Sequence, residues 1–303
     1  MVIRLNEEVK RALEQNRGIV ALESTIITHG MPAPQNWETA LALEETVREE
    51  GAIPATIGIL GGEIIVGLQQ EEIKELASRQ GVKKISRQDL AFAVSKGWSG
   101  GTTVAATMIV ARRAGIEIFA TGGIGGVHRG GENTLDISAD LEELARTGVV
   151  VFCAGVKSIL DIGRTLEYLE TRGIPVIGYG TDEFPAFYCP RSGFPAPLRL
   201  DSPEEIGDFW KKKKELQLGG GVVVACPISE KEGIKAEEME QALNQALQEA
   251  RQKGITGKGV TPFLLQRVNE YSQGQTLQAN QFLIKNNAAI AARVSRVLQS
   301  EGK

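Results

Sequence analysis

Apolar residues along this chain follow two different periods. Short runs rich in β-branched residues have the length and make-up of buried strands: GIVALEST (18–25), PATIGIL (54–60), EIIVGL (63–68), IEIFAT (116–121), VVVFC (149–153), IPVIGYG (174–180) and GVVVACP (221–227). Between them apolar positions recur three and four residues apart, as in ETALALEETVREEG (38–51), QEEIKELASRQ (70–80) and SILDIGRTLEYLETRG (158–173), which is the helical period. The first stretch, MVIRLNEEVKRALEQN (1–16), reads as an amphipathic helix, and Gly61-Gly62 between two strand-like runs marks a hairpin. Ser202-Pro203-Glu204-Glu205 sets a cap and a first-turn proline at the start of a helix in which Lys211 to Lys214 form a solvated face. Helical patterns fill Ala236–Gly254 and run from Phe263 to the end. Residues 181–200, with several prolines and aromatics, read as a long ordered loop that covers a site or packs against a neighbour. Strands alternating with helices predict an α/β fold in one domain spanning 1–303, with a mostly parallel central sheet and helices on both faces.

In such sheets ligands bind beyond the carboxyl ends of the strands, so polar residues that end an apolar run are candidates for chemistry. Glu23, Ser24 and Thr25 end the first run. Lys157 follows the Ala154-Gly155 turn after VVVFC, with Ser158 placed to cap the next helix; its amine is either a nucleophile or a charge that solvates a loop. Thr102 and Thr103 open the helix TTVAATMIVARRAG (102–115), whose N-terminus suits a phosphate or a simple threonine cap, although the P-loop pattern is absent. ATGGIGGVHRGG (120–131) fails the dinucleotide fingerprint because His128 stands where glycine is required; His128 and Arg129 suit an anion better. Asp136 and Asp140 flank the cap Ser138, and either offset the helix dipole or hold a hard cation such as magnesium or manganese among waters.

Composition narrows the partners. A net charge of -4 and a pI near 5.5 argue against a nucleic-acid binder and toward a small ligand. The three cysteines, Cys153, Cys189 and Cys226, are far apart with no metal-ligand spacing, which fits reduced thiols in a cytoplasmic protein. No apolar run reaches the length of a membrane span, and no signal-peptide core opens the chain.

Together, ALESTIITHGMPAPQN, KKISRQDL, GTTVAATM, FATGGIGGVHRG, DISADL, CAGVKSILDIGRTLEYLET, GKGVTPFLL and NNAAIAA, in that order across roughly Gly18–Ala292, resemble the pseudouridine-5′-phosphate glycosidase family. The resemblance implies that Lys157 is a Schiff-base nucleophile and Glu23 a proton donor. It further implies that Asp136 is associated with manganese and that Lys84, Val104, Ser138, Ala139 and Asp140 bind substrate, with His128, Asn280 and Thr103 as added contacts. A homotrimer acting on pseudouridine 5′-phosphate in pseudouridine catabolism is implied as well. Because that substrate joins sugar to base through carbon, protonating a leaving nitrogen is no route. Ring opening aided by Glu23, with attack by a neutral Lys157 amine and a lowered lysine pKa from Lys84 or the metal, is the expected chemistry. The rivals are an aldolase-like lyase using the same lysine and a non-catalytic sugar-phosphate sensor.

Overall fold

The structure, a computed structural model, describes residues 3–255 and 260–300, so Gly257–Gly259 of the GKGVTPFLL motif lie outside the described residues. Its centre is an eleven-stranded sheet. Along its main path the order is Ile3–Leu5, Glu63–Val66, Ile53–Leu60, Ile19–Leu22, Ile118–Ala120, Val150–Cys153, Val222–Ala225, Val176–Tyr179 and Leu198–Leu200. Every neighbouring pair on that path is parallel except the hairpin Ile53–Leu60 with Glu63–Val66. The central strands Ile19–Leu22, Val150–Cys153 and Val222–Ala225 are buried at every residue, which explains why they read as continuous apolar runs rather than alternating ones. Gln35–Glu49, Pro203–Glu215 and Gln275–Ser300 pack together on the sheet, while Val104–Arg113 and Ala139–Arg146 pack against each other. The result is a single-domain α/β fold flanked by helices, as the alternation predicted.

Three local readings need correction. Residues Ile3–Leu5 are an edge strand paired with Glu63–Val66, and the first helix is confined to Glu7–Glu14 with Asn6 as its cap. The alternation Ile3-Arg4-Leu5 is a strand period, and Arg4 reaches Glu63 and Glu72 from the edge. The helix expected from Ser158 begins at Ile162, where the Asp161 carboxylate accepts from the Arg164 N–H at 3.0 Å. Leu160 and Asp161 instead pair with Val127–His128 in a short antiparallel ribbon, so the Ser158 hydroxyl is buried with no hydrogen-bond partner among the described residues. Val150–Cys153 and Val176–Tyr179, joined by the helix Ile162–Thr171, are parallel strands of the same sheet with Val222–Ala225 between them. Finally, Lys213 is not part of a solvated face. It is 5% exposed, and its ammonium donates to the carbonyls of Leu218, Gly219 and Gly220, satisfying the chain just beyond the helix end.

The 181–200 segment covers a site at the sheet's carboxyl edge, one of the two roles expected of it, but it is not loop throughout, since Leu198–Leu200 form the sheet's last strand beside Val176–Tyr179. Phe184, Phe187, Tyr188 and Cys189 are buried, and the Phe187 N–H donates to the Ala154 carbonyl at 2.9 Å. Gly155, at φ +93°, lies so close beneath this loop that a Cβ there would stand 2.3 Å from the Pro185 carbonyl oxygen. Among the described residues no helix is long and apolar enough to cross a membrane.

Candidate active site

A cavity of about 520 Å³ opens beyond the carboxyl ends of Ile19–Leu22, Ile118–Ala120 and Val150–Cys153. Nearly all the candidates converge there: Glu23, Lys84, Thr103, His128, Asp136, Ser138, Ala139, Asp140, Lys157 and Asn280 line it. Val104 does not. Its side chain is packed in the core at the first turn of its helix. Sequence reading missed His29, Arg87, Phe187 and Tyr188, which also line the cavity. His29 had a signal, being one of only two histidines and lying close after Glu23; the aromatic pair had none beyond its place in a Pro-rich loop.

Glu23 lies one residue past its strand and is 7% exposed. Two threonine hydroxyls donate to its carboxylate, Thr25 to Oε2 and Thr121 to Oε1. Burial pushes the Glu23 carboxyl above its ordinary value, and the Asp140 charge adds to the rise; the Lys157 charge, the Thr121 hydrogen bond and the Lys84 charge oppose it. The neighbouring Ser24 is spent on structure: its hydroxyl donates to the Ile57 carbonyl at 2.6 Å and accepts from the Thr102 N–H at 2.9 Å. Thr102 is likewise tied to Ile57 and Thr107 and does not line the cavity.

Lys157 has its backbone pinned from both sides. Its N–H donates to the Ile124 carbonyl at 3.1 Å, and its carbonyl accepts from the Leu160 N–H at 2.9 Å. The amine therefore projects from a fixed loop between a central strand and the ribbon, and its charge is the leading influence that offsets the burial of Glu23.

The helix N-terminus at Val104 already carries an anion. Asp140 is 5% exposed, with Oδ1 accepting from the Ala105 N–H at 2.9 Å and Oδ2 from the Gly125 N–H at 2.9 Å. Thr103 caps the same helix by accepting from the Ala106 N–H. Gly125 permits this approach, since a Cβ there would meet the Ser138 side chain and Asp140 Oδ2. Ser138 caps its own helix, as read, by accepting from the Asp140 N–H at 3.3 Å.

The opposite wall is more open. The Asp136 side chain is 46% exposed and sits 3.8 Å from His128 Nδ1. Burial lowers the His128 imidazole, the Lys84 charge adds to that, and Asp136 opposes it. His29, also lowered by burial and by Lys84, has its Nδ1 2.6 Å from the Thr28 hydroxyl. Arg129, read as an anion ligand, pairs with Glu240 at 3.2 Å. Among the described residues no group of three or more His, Cys, Asp or Glu side chains gathers around a metal position.

The chain as a whole has similar relatives. A family described as indigoidine synthase A like protein matches residues 8–297. A pseudouridine-5′-phosphate glycosidase of Solibacter usitatus is 55% identical over 99% of this chain and 100% of its own length. One of Methylobacterium nodulans is 56% identical over 96% of this chain and 87% of its own. Among solved structures, the prealnumycin C-glycosynthase AlnA in complex with ribulose 5-phosphate superposes with a TM-score of 0.92 at 40% identity, covering 99% of this chain and 98% of that one. An indigoidine synthase A-like protein of Thermotoga maritima gives 0.90 at 35% identity, with 99% and 97% covered. With matches of this depth along its whole length, the chain belongs to the indigoidine synthase A like family, alongside the proteins named pseudouridine-5′-phosphate glycosidase.

Proposed function

We propose that this enzyme reversibly cleaves the carbon–carbon glycosidic bond of pseudouridine 5′-phosphate, with water, to uracil and ribose 5-phosphate, as a cytoplasmic homotrimer in pseudouridine catabolism. The observation that carries this reading is the meeting of a buried carboxyl, held toward its protonated form, with a lysine in one cavity at the strand ends. The relatives named for the same activity, and the C-glycosynthase solved with a sugar phosphate, support it.

Glu23, protonated, gives its proton to the ring oxygen as the sugar opens, and the neutral Lys157 amine bonds to the anomeric carbon. The adduct nitrogen returns a proton to the Glu23 carboxylate, its freed lone pair forms the iminium as the bond to the base breaks, and Glu23 gives that proton to the base carbon. Water hydrolyses the iminium, releasing ribose 5-phosphate and restoring Lys157. Lys84, His29 and His128 supply donors for the anionic substrate on the walls around this pair.

The residues fit a hard divalent cation that keeps most of its waters. Asp140 has both oxygens engaged by backbone N–H groups, whereas Asp136 presents a half-exposed carboxylate to the cavity. Asp136 would hold manganese, magnesium or a similar ion, which would neutralise charge on the substrate. The direct test is ultraviolet detection of uracil released from pseudouridine 5′-phosphate. Release by the wild type and none by Lys157→Ala supports the reading; Schiff-base trapping with other sugar phosphates and no uracil favours an aldolase-like lyase.

A further inference from the structure

We propose that Thr121 is a positioning residue for the acid: its hydroxyl anchors Glu23 Oε1 on the core side, leaving Oε2 as the oxygen that meets substrate. This rests on the assignment of Glu23 as the proton donor. Thr25, which donates to Oε2, lines the cavity, whereas Thr121 is fully buried and does not. The two carboxylate oxygens are thereby made inequivalent.

Thr121 is itself held on three sides. It follows the strand Ile118–Ala120, its N–H donates to the Phe152 carbonyl at 2.9 Å, and its carbonyl accepts from Asn287 Nδ2 at 2.8 Å. Asn287 is fully buried on the same helix as the cavity residues Asn280 and Ile284, two turns on from the first and one from the second. The anchor for the acid thus runs from the long C-terminal helix through the Thr121 carbonyl, with the Gly122 carbonyl a second and longer contact of Asn287 at 3.4 Å, to one hydroxyl. A hydroxyl suits this role because it donates to a carboxylate and can also accept from a carboxylic acid, so the anchor survives both protonation states of Glu23.

The charged groups acting on Glu23 are Lys157, Asp140 and Lys84, and none of them changes when the Thr121 hydroxyl is removed. The Thr121 hydrogen bond favours the carboxylate, so its loss raises the Glu23 pKa further. For an acid that must be protonated, the alkaline limb of the kcat profile then moves to higher pH. Misplacement of the proton lowers kcat about tenfold with little change in KM.

The test compares wild type, Thr121→Val and Thr121→Ser, each followed by uracil release against pH and by infrared titration of the buried carboxyl band, with Glu23→Gln to assign that band. Expected are a lower kcat and upward shifts of both limb and band midpoint in Thr121→Val, with Thr121→Ser restored to wild type. An unmoved midpoint in folded Thr121→Val, or a Thr121→Ser as impaired as the valine variant, overturns the proposal. A moved midpoint in a protein that releases no uracil in any form overturns the catalytic role through the assignment of Glu23 itself, not through the hydrogen bond.

Discussion

Glu23 and Asp140 line the same cavity and are both buried, yet hydroxyls hold the one and backbone amides hold the other. A backbone N–H can only donate, so each Asp140 oxygen is engaged as an acceptor for the main chain. Threonine hydroxyls rotate, so Glu23 can carry a proton or lose it without stranding its neighbours. One carboxylate thus joins a helix N-terminus to the Gly-rich loop, and the other is left able to exchange a proton. Sequence distance from a strand end does not separate these roles; the chemistry of the partners does.

The largest effect that would break this comparison is on turnover. Glu23→Gln removes general acid help, worth about 10²- to 10⁴-fold, and should lower kcat by that order in a uracil-release assay. If Asp140→Ala produced the same loss with unchanged stability, the division between the two would fail. Instead Asp140→Ala should lose roughly 2–6 kcal/mol in urea denaturation, because two buried N–H groups lose their acceptor at about 1–3 kcal/mol each.

A smaller effect concerns Glu23 and pH. Its folded pKa is raised above the ordinary 4.5 by burial. The stability this group contributes is therefore complete below that value and is lost as pH rises through the folded pKa. Glu23→Gln should accordingly melt at a higher temperature than wild type near neutral pH and converge with it below pH 4.5. A melting difference that grew on acidification would contradict the direction of the shift. Smallest, Asp136→Asn should weaken manganese stimulation of uracil release by about tenfold in cation concentration, with little change in melting temperature, since its side chain is half exposed.

Much of this was legible in the chain because both strand runs and helical periods are set by burial, and the central strands are buried on both faces. Glu23 and Lys157 could be placed for the same reason: one ends an apolar run and the other follows the turn after one, and such run ends face a ligand edge. What could not be read depends on contacts between distant segments. From local sequence the N-terminus of the helix at Val104 suits a phosphate or a threonine cap; Thr103 is that cap, and Asp140, 35 positions from Ala105, accepts from the same turn. Ser158 looked like a cap because the ribbon that delays the helix needs Val127–His128 as its partner. Lys213 looked solvated because the carbonyls it satisfies belong to the turn after its own helix. Phe187 and Tyr188 reached the cavity through the fold of a loop whose sequence announces order and not direction.

The most direct measurement is mass spectrometry of the protein after borohydride treatment with pseudouridine 5′-phosphate and manganese, with free uracil followed in the same sample. A ribose-phosphate adduct on Lys157, together with uracil and the loss of both in Lys157→Ala, is the expected result. Uracil release without any lysine adduct, or an adduct on a different lysine that persists in Lys157→Ala, would contradict the assignment of Lys157 as the nucleophile.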